Sequence, residues 1–366
     1  MRGRHLRRAL QSPAQPQQQR TPVSDALYSA RVPGAGRALF AAARAAAGEV
    51  LLAEPEPLAW CAPAGALGLA CEQCLGPLPA AQPPPAASPS GSARYCSAAC
   101  RAAHWGAGGQ SLLDGGMGEL NAWCAREGMN FPRLAAYALA RSLSGERDFD
   151  AYWRAIHGLA YATPPPLAEH PRAFREGYAL VKGAVLGAGK VGGAGAATLF
   201  DLVFTPATYA RLMGTLRLNS ISVPCPLLPP GAAPPPPPPP PPQPQQQQQQ
   251  QQASDDAGCC SGEASCGDAG AGASSCGESA AAFGDAPGGT ALYRLASLAN
   301  HACEPSADVV MAVGGALALR ARRALGAGEE VTITYLDSSL PGAVRRNRLL
   351  RGYGFECKCQ RCAQGL

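Results

Sequence analysis

The stretch YGFECKCQRC, residues 353–362, places three cysteines within six residues. Three thiolates held that close together repel one another unless a cation binds them. Zinc in structural sites takes four ligands in tetrahedral geometry, so Cys357, Cys359 and Cys362 are one ligand short. The stretch NHACEP at 300–305 supplies Cys303, which we predict to be the fourth ligand.

A second group of cysteines lies in CEQC at 71–74 and CSAAC at 96–100, with C-x2-C and C-x3-C spacing. Four thiols in two short knuckles close one zinc site. The predicted ligands are Cys71, Cys74, Cys96 and Cys100. Because four thiolates already satisfy the metal, His104 is expected to have a surface or packing role. Cys61 and Cys124 are interpreted as ordinary thiols, and the chain is predicted to bind two zinc ions.

Composition limits the class of protein. The chain has 366 residues, 15 of them cysteine, and a formal charge of +5. No stretch of about 18 apolar residues occurs, so no membrane span is expected. The charge is too small to indicate nucleic-acid binding through bulk electrostatics, and we expect no direct sequence-specific nucleic-acid binding.

Residues 1–25 are rich in arginine and lack the apolar core of a secretory signal. Thiols outside the secretory pathway bind metal more often than they form disulfides. The composition fits an organelle transit peptide, a nuclear-localisation patch or a disordered tail.

Helices and strands are predicted from hydrophobic spacing. Helices are expected at 130–143, 150–159, 172–186, 205–218 and 345–351, and strands at 38–41, 50–53, 309–313, 316–319 and 330–335. Thr205 is a predicted N-cap, with Pro206 at the first helical position. Residues 224–290 contain nine consecutive prolines and eight consecutive glutamines. This composition cannot bury a core, so we predict a disordered insert.

These motifs resemble a known family. NHACEP at 300–305 resembles the NHSCxPN signature of SET-domain lysine methyltransferases, and GEE at 328–330 with TITYLD at 332–337 resembles their GEE…ISY(I/L)D segment. GRALFA at 36–41 is similar to their first strand motif, and 353–362 resembles their post-SET zinc region. The segment Cys71–Trp105 resembles a MYND finger, which points to the SET-and-MYND subfamily.

The resemblance implies an α+β fold. It would be a β-clip SET domain of short strands, split by a reduced MYND-type zinc finger and a helical insert, with a zinc-bound post-SET segment. The implied divisions are a disordered basic tail (1–25), the first part of the SET domain (26–62), the finger (63–108), the helical insert (109–223), the disordered insert (224–290), the catalytic core (291–350) and the post-SET segment (351–366).

The sequence departs from the family pattern in several places. Residues 75–95 hold no second C-x2-C pair, and no final His…Cys pair follows Trp105, so the finger is expected to hold one zinc ion instead of two. Ala302 and Ser306 replace the family's Ser and Asn. The chain stops at Leu366 without the long C-terminal helical domain of many relatives, which is most like the short subclass that includes the plant trithorax-related enzymes.

The resemblance implies a protein-lysine N-methyltransferase that uses S-adenosylmethionine, with a histone tail as the favoured substrate. Tyr335 would be the catalytic tyrosine, its hydroxyl beside the transferring methyl group. The implied cofactor-binding residues are Gly36, Arg37, Asn219, Ser297, Asn300, His301, Tyr353 and Phe355.

An alternative remains: a catalytically weak or inactive SET/MYND zinc scaffold that binds protein partners, which the departures at Ala302 and Ser306 motivate. Pro234–Pro242 is a candidate ligand for a Pro-motif-binding partner. The expected location is the nucleus or the cytoplasm, and organelle import through the arginine-rich N-terminus stays open.

Overall fold

The structure is a computed structural model. It describes residues 20–33, 36–63, 68–78, 87–106, 109–144, 148–162, 171–187, 200, 204–223, 289–312 and 315–365. These residues form an α+β protein of short strands and helices, which confirms the predicted fold class. In this part of the chain, no helix has the length and apolar character needed to cross a membrane.

The strands are β1 (Thr21–Pro22), β2 (Leu27–Val32), β3 (Gly36–Ala41), β4 (Val50–Glu54), β5 (Ala59–Cys61), β6 (Ser220–Val223), β7 (Gly289–Leu292), β8 (Asn300–His301), β9 (Ala307–Met311), β10 (Leu317–Ala321) and β11 (Glu330–Ile333). The helices are α1 (Ala98–Trp105), α2 (Gln110–Leu113), α3 (Gly118–Glu127), α4 (Phe131–Leu143), α5 (Phe149–His157), α6 (Pro171–Leu186), α7 (Pro206–Asn219), α8 (Gly342–Tyr353) and α9 (Gln360–Ala363), with a 3-10 helix at Ala296–Leu298.

Three sheets join the two ends of the chain. Their strand orders are β1-β2-β3-β11-β8, β4-β10-β9 and β5-β7-β6. Each sheet pairs strands from before residue 62 with strands from after residue 288, for example Leu39 opposite Val331. The finger and the helices are therefore inserted between two distant segments of the chain that together form the sheets. Strands β8 and β11 pair in parallel.

Helix α4 lies at the centre of the helical layer. It contacts β5, α6 and α7, and almost every side chain from Pro132 to Ser142 is buried, including Arg133 and Arg141. A helix that is buried on all sides does not show a single apolar stripe. Helix α7 begins as predicted, because the Thr205 hydroxyl accepts a hydrogen bond from Thr208 N at 3.2 Å and Pro206 takes the first helical position.

Several predicted boundaries are corrected by hydrogen bonding. Thr21–Pro22 pairs with β2, so the ordered chain starts before residue 26. Ser220–Val223 pairs with β7 as a strand, so the helical insert ends at Asn219, and Gly289 and Thr290 belong to β7 instead of the insert. Helix α8 continues to Tyr353, across the predicted boundary at 350. The tail at 1–19 and the Pro/Gln-rich residues 224–288, with Pro234–Pro242, lie outside the described residues.

Candidate functional site

The C-terminal cysteine cluster brings Cys303 to the three cysteines of 357–362. Their four sulfur atoms lie within 4.8 Å of one another, with Cys303 3.5 Å from Cys362 and 3.9 Å from Cys357. Four sulfurs at 2.3 Å from a tetrahedral zinc ion would be about 3.8 Å apart. The cluster therefore fits zinc, and the structure places Cys303 beside the three thiols that it was predicted to join.

Charge around this cluster also suits a metal. Burial raises the pKa of Cys359, but hydrogen bonds from the Cys362 and Cys303 backbone groups outweigh it and lower the pKa to about 7. The guanidinium of Arg345 is buried and interacts with the sulfurs of Cys303 and Cys362. A zinc ion with four thiolates carries a net charge of −2, which this guanidinium partly offsets.

The finger cluster has the same geometry. The sulfurs of Cys71, Cys74, Cys96 and Cys100 lie within 4.8 Å of one another, and the Cys74–Cys96 and Cys96–Cys100 distances are 3.6 and 3.5 Å. His104 is buried outside the cluster, with Nδ1 3.1 Å from the Tyr95 hydroxyl. Of the two expected roles, a surface role and a packing role, His104 has the packing role.

The finger is tied to helix α4 by buried polar contacts. Glu72, next to Cys71 of the finger cluster, lies 3.5 Å from the Arg133 guanidinium and accepts a hydrogen bond from the Tyr137 hydroxyl at 3.3 Å. Trp60 Nε1 donates to Gln73 O at 2.8 Å. One wall of the finger is therefore built into the protein core.

Asn300 and His301 form β8, where backbone pairing with β11 fixes them. Asn300 Nδ2 donates to Glu330 Oε1 at 2.8 Å. His301 Nδ1 accepts from Tyr335 N at 3.0 Å, and its Nε2 lies 3.4 Å from Cys303 Sγ. Burial and the nearby charge of Arg345 lower the pKa of His301 to about 4, so the ring is neutral. Protein atoms engage both ring nitrogens, which leaves the ring face for a ligand.

Tyr335 lies just past β11, and its hydroxyl donates to Ala299 O at 2.7 Å. Its ring centroid is 4.7 Å from that of Tyr353, 5.3 Å from that of His301 and 6.4 Å from that of Phe355. Burial raises the pKa of Tyr335, so its hydroxyl stays protonated. The structure therefore brings four of the predicted site residues into one aromatic cluster.

Ser297 and Asn219 are in direct contact. Ser297 Oγ donates to Asn219 O at 2.8 Å, and Asn219 Nδ2 donates to Ala160 O at 2.7 Å. The Arg37 guanidinium bonds to Gly158 O, two residues from Ala160. The segment 158–160 therefore links Arg37 to Asn219.

Gly36 begins β3 with φ +79°, a left-handed conformation that favours glycine. The strand that it opens contacts the 3-10 helix, which carries Ser297. The first strand motif and Ser297 therefore belong to neighbouring elements.

Sequence reasoning missed several residues that shape this site. Arg217 on α7 donates to Gly352 O at 2.8 Å and also bonds to Arg351 O, which fixes the end of α8 before Tyr353. The Glu54 carboxylate accepts from backbone N–H groups of residues 294–296. Neither residue lies in a sequence motif. Each acts through a contact between segments more than 130 residues apart, which the local sequence does not show.

Comparison with known proteins finds similarity to SET-domain proteins. The family model for the SET domain matches residues 199–336. Histone-lysine N-methyltransferase SMYD3 of Mus musculus is 47% identical over 74 residues, which is 20% of this chain and 17% of the relative. Histone-lysine N-methyltransferase ATXR4 of Arabidopsis thaliana is 37% identical over 79 residues, covering 22% and 24%. A SET and MYND domain-containing protein of Dictyostelium discoideum is 35% identical over 78 residues, covering 21% and 23%. The chain thus spans about a fifth of the length of these curated relatives.

Proposed function

Because this chain carries a SET domain and is similar to SET and MYND domain-containing proteins, we propose that it is a protein-lysine N-methyltransferase that uses S-adenosylmethionine. The observation that carries the proposal is the aromatic cluster of His301, Tyr335, Tyr353 and Phe355, at the junction of β8 and β11. A bound cofactor would supply the methyl group on a positively charged sulfonium. Aromatic faces attract such a cation, so the residues fit this cofactor.

The protein has to make the acceptor amine neutral. A free lysine has a pKa of about 10.4 and is almost fully protonated at neutral pH. A narrow apolar channel disfavours the charged form and lowers that pKa. The rings of Tyr335, Tyr353 and Phe355 are the proposed walls of the channel.

Tyr335 is the proposed catalytic residue, and its proposed role is to align the reacting atoms. The raised pKa of Tyr335 keeps its hydroxyl protonated, so this residue would not act as a general base. Its proton points to Ala299 O at 2.7 Å, which leaves the oxygen lone pairs to face a positively charged reaction centre. Alignment of the reacting atoms then supplies much of the rate.

Asn300, His301, Ser297, Asn219, Gly36 and Arg37 are the proposed cofactor-binding residues, with Tyr353 and Phe355 beside them. The side chains of Asn300, His301 and Asn219 already bond to protein atoms. We therefore propose that they contact the cofactor through backbone groups, the His301 ring face and the remaining amide oxygens.

The C-terminal zinc would close the site. Cys303 follows His301 by two residues, and Cys357 follows Phe355 by two residues. A zinc ion bound to both cysteines would hold the His301 and Phe355 rings at their observed 6.2 Å separation. Metal binding of this kind contributes directly to local folding.

A histone tail is the proposed substrate, because two of the similar proteins are named histone-lysine N-methyltransferases. The nucleus or the cytoplasm is the proposed location. The finger is proposed to be of the MYND type with one zinc site.

The departure at Ser306 does not weaken this proposal. Its hydroxyl donates to Glu330 O at 3.1 Å and accepts from Thr332 N at 2.9 Å. Ala302 N donates to Ile333 O at 3.0 Å through the backbone alone. Both positions therefore bond to β11, so the two departures keep the local structure around the proposed site.

The test is calorimetric binding of S-adenosylmethionine, followed by transfer of a radiolabelled methyl group to a panel of histones and cytosolic proteins. We expect binding at one site per chain and a lysine product that mass spectrometry maps. Tyr335→Phe should bind the cofactor but transfer at least about 100-fold more slowly. A wild-type chain that binds no cofactor would refute the methyltransferase proposal, and unchanged transfer by Tyr335→Phe would remove the catalytic assignment.

A further inference from the structure

Glu54, the last residue of β4, is a buried carboxylate in contact with the turn before the cofactor motif. Only 7% of the residue is exposed. Oε1 accepts from Arg294 N at 3.1 Å and from Leu295 N at 3.0 Å, and Oε2 accepts from Ala296 N at 2.6 Å. One side chain from before the finger thus holds three consecutive backbone groups from after residue 288.

The turn held by Glu54 leads directly into the candidate site. Ala296 begins the 3-10 helix, and Ser297 Oγ accepts from Tyr293 N at 3.3 Å and donates to Asn219 O. Ala299 O, at the end of that helix, receives the Tyr335 hydroxyl. A shift of residues 294–296 would therefore move the Ser297–Asn219 contact and the acceptor of Tyr335 together.

The charge of Glu54 suits this contact. Three N–H groups that converge on two oxygens bond best to a carboxylate, and hydrogen bonds to a charged group are about twice as strong as neutral ones. A glutamine has the same shape, but its NH2 group would replace one carboxylate oxygen and would face backbone N–H groups of residues 294–296, which are also donors. Substitution by glutamine therefore breaks part of the contact without creating a cavity.

From this geometry we propose that Glu54 is a positioning residue for the methyl-transfer site: it fixes residues 294–299 so that Ser297, Asn219 and the Tyr335 hydroxyl adopt their working arrangement. This inference rests on the proposed methyltransferase function. Glu54 itself touches neither substrate nor cofactor in this role.

The test compares Glu54→Gln with Glu56→Gln. Glu56 lies two residues away, its side chain is 45% exposed, and it pairs with Arg141 at 3.5 Å, away from residues 294–296. The measurements are the calorimetric Kd and stoichiometry for S-adenosylmethionine, kcat and KM with the methyl acceptor, zinc content, and amide hydrogen exchange at residues 294–296.

We expect Glu54→Gln to weaken cofactor binding about tenfold, in line with loss of a charge-assisted hydrogen bond, and to lower kcat. The KM for the acceptor and the binding stoichiometry should stay near wild type, and exchange at Leu295 and Ala296 should accelerate. A residue that only stabilises the fold would lower the stoichiometry and leave Kd unchanged. Glu56→Gln should match wild type in Kd and in exchange.

An unchanged Kd in folded Glu54→Gln, whatever the rate of amide exchange, would overturn the inference. If Glu54→Gln does not fold, Glu54→Asp, which keeps the charge on a shorter side chain, is measured in the same way. Failure of both variants to fold with two zinc ions would assign Glu54 to folding and also overturn it. If wild type binds no cofactor, the proposed function fails, whereas equal binding by wild type and Glu54→Gln removes only the role of Glu54.

Discussion

The buried ion pair between Glu72 and Arg133 should be the strongest link between the finger and the core, and Arg133→Met tests it. The two side chains are 2% and 0% exposed and lie 3.5 Å apart. Arg133 Nε also donates to Asn121 Oδ1 at 2.9 Å, and Nη1 bonds to Ala62 O. Methionine fills a similar volume but removes every one of these donors.

The magnitude follows from what the substitution leaves behind. Without Arg133, the Glu72 carboxylate keeps its contact with the Tyr137 hydroxyl at 3.3 Å but loses its counter-charge. Breaking one partner of a buried ion pair costs about 3–5 kcal/mol. The Ala62 carbonyl loses a donor as well, and an unsatisfied buried polar group costs about 1–3 kcal/mol. We expect a total loss of about 4 kcal/mol or more in the free energy of unfolding.

Urea unfolding with zinc present measures the loss, and zinc content is measured alongside. Arg172→Met is the matched control, since Arg172 pairs with Glu176 at 2.8 Å but is 88% exposed, and exposed pairs contribute about 0–1 kcal/mol. Because Glu72 adjoins Cys71, Arg133→Met should also release finger zinc to a chelator faster. A loss below about 1 kcal/mol, equal to that of Arg172→Met, would refute the coupling of finger and core.

Three further predictions concern the metal, pH and packing. Cys303→Ser should reduce zinc content from two ions to one per chain, measured by mass spectrometry, because three cysteines would remain at the C-terminal cluster; two retained ions would contradict this ligand set. Burial, and secondly the charge of Arg141, lower the pKa of His104 to about 3. As the pH falls, the His104 ring is therefore protonated in the unfolded chain before it is protonated in the folded protein. The contribution of His104 to the free energy of unfolding is full above about pH 6.5 and falls by up to about 1.4 kcal/mol per pH unit below that value. His104→Gln should show a shallower slope between about pH 5 and 6.5 in urea titrations, and equal slopes would exclude His104 as the source. Gly116→Ala would place a Cβ 2.3 Å from Ala184 O and should lower stability by about 1–3 kcal/mol, whereas Gly118→Ala, with nothing within 4 Å, should not; similar melting temperatures would contradict the clash.

Local chemistry made the metal sites predictable. The spacing of Cys357, Cys359 and Cys362 required a fourth ligand, and few candidates lay in so dense a motif as that of Cys303. The N-cap at Thr205 was equally local, because an N-cap hydroxyl accepts a hydrogen bond from a backbone N–H in the first turn of its own helix. Hydrophobic spacing likewise placed α4, α6 and α7 within one residue of their observed ends, whereas α3 was not predicted.

Long-range pairing made other features unpredictable. Nothing in the sequence near Gly289 shows that this residue joins a sheet, since its strand pairs with the distant strands β5 and β6. Glu54 and Arg133 look like ordinary charged residues in sequence, and charged side chains are rarely buried. Their roles exist only once segments more than 60 residues apart along the chain have met.

Two anchors hold the same short segment, residues 294–303, from opposite ends. At its start, the Glu54 carboxylate binds the backbone of residues 294–296 and thereby connects the segment to β4. At its end, Cys303 shares a four-thiol cluster with residues 357–362. Between the anchors lie Ser297, Asn300 and His301, whose partners include Asn219 and Tyr335. A domain whose parts are separated by a finger, a helical layer and a long insert cannot rely on chain connectivity to align its site. We therefore expect this site to depend on both anchors, so that zinc removal and Glu54→Gln each weaken cofactor binding even though neither acts on the cofactor itself.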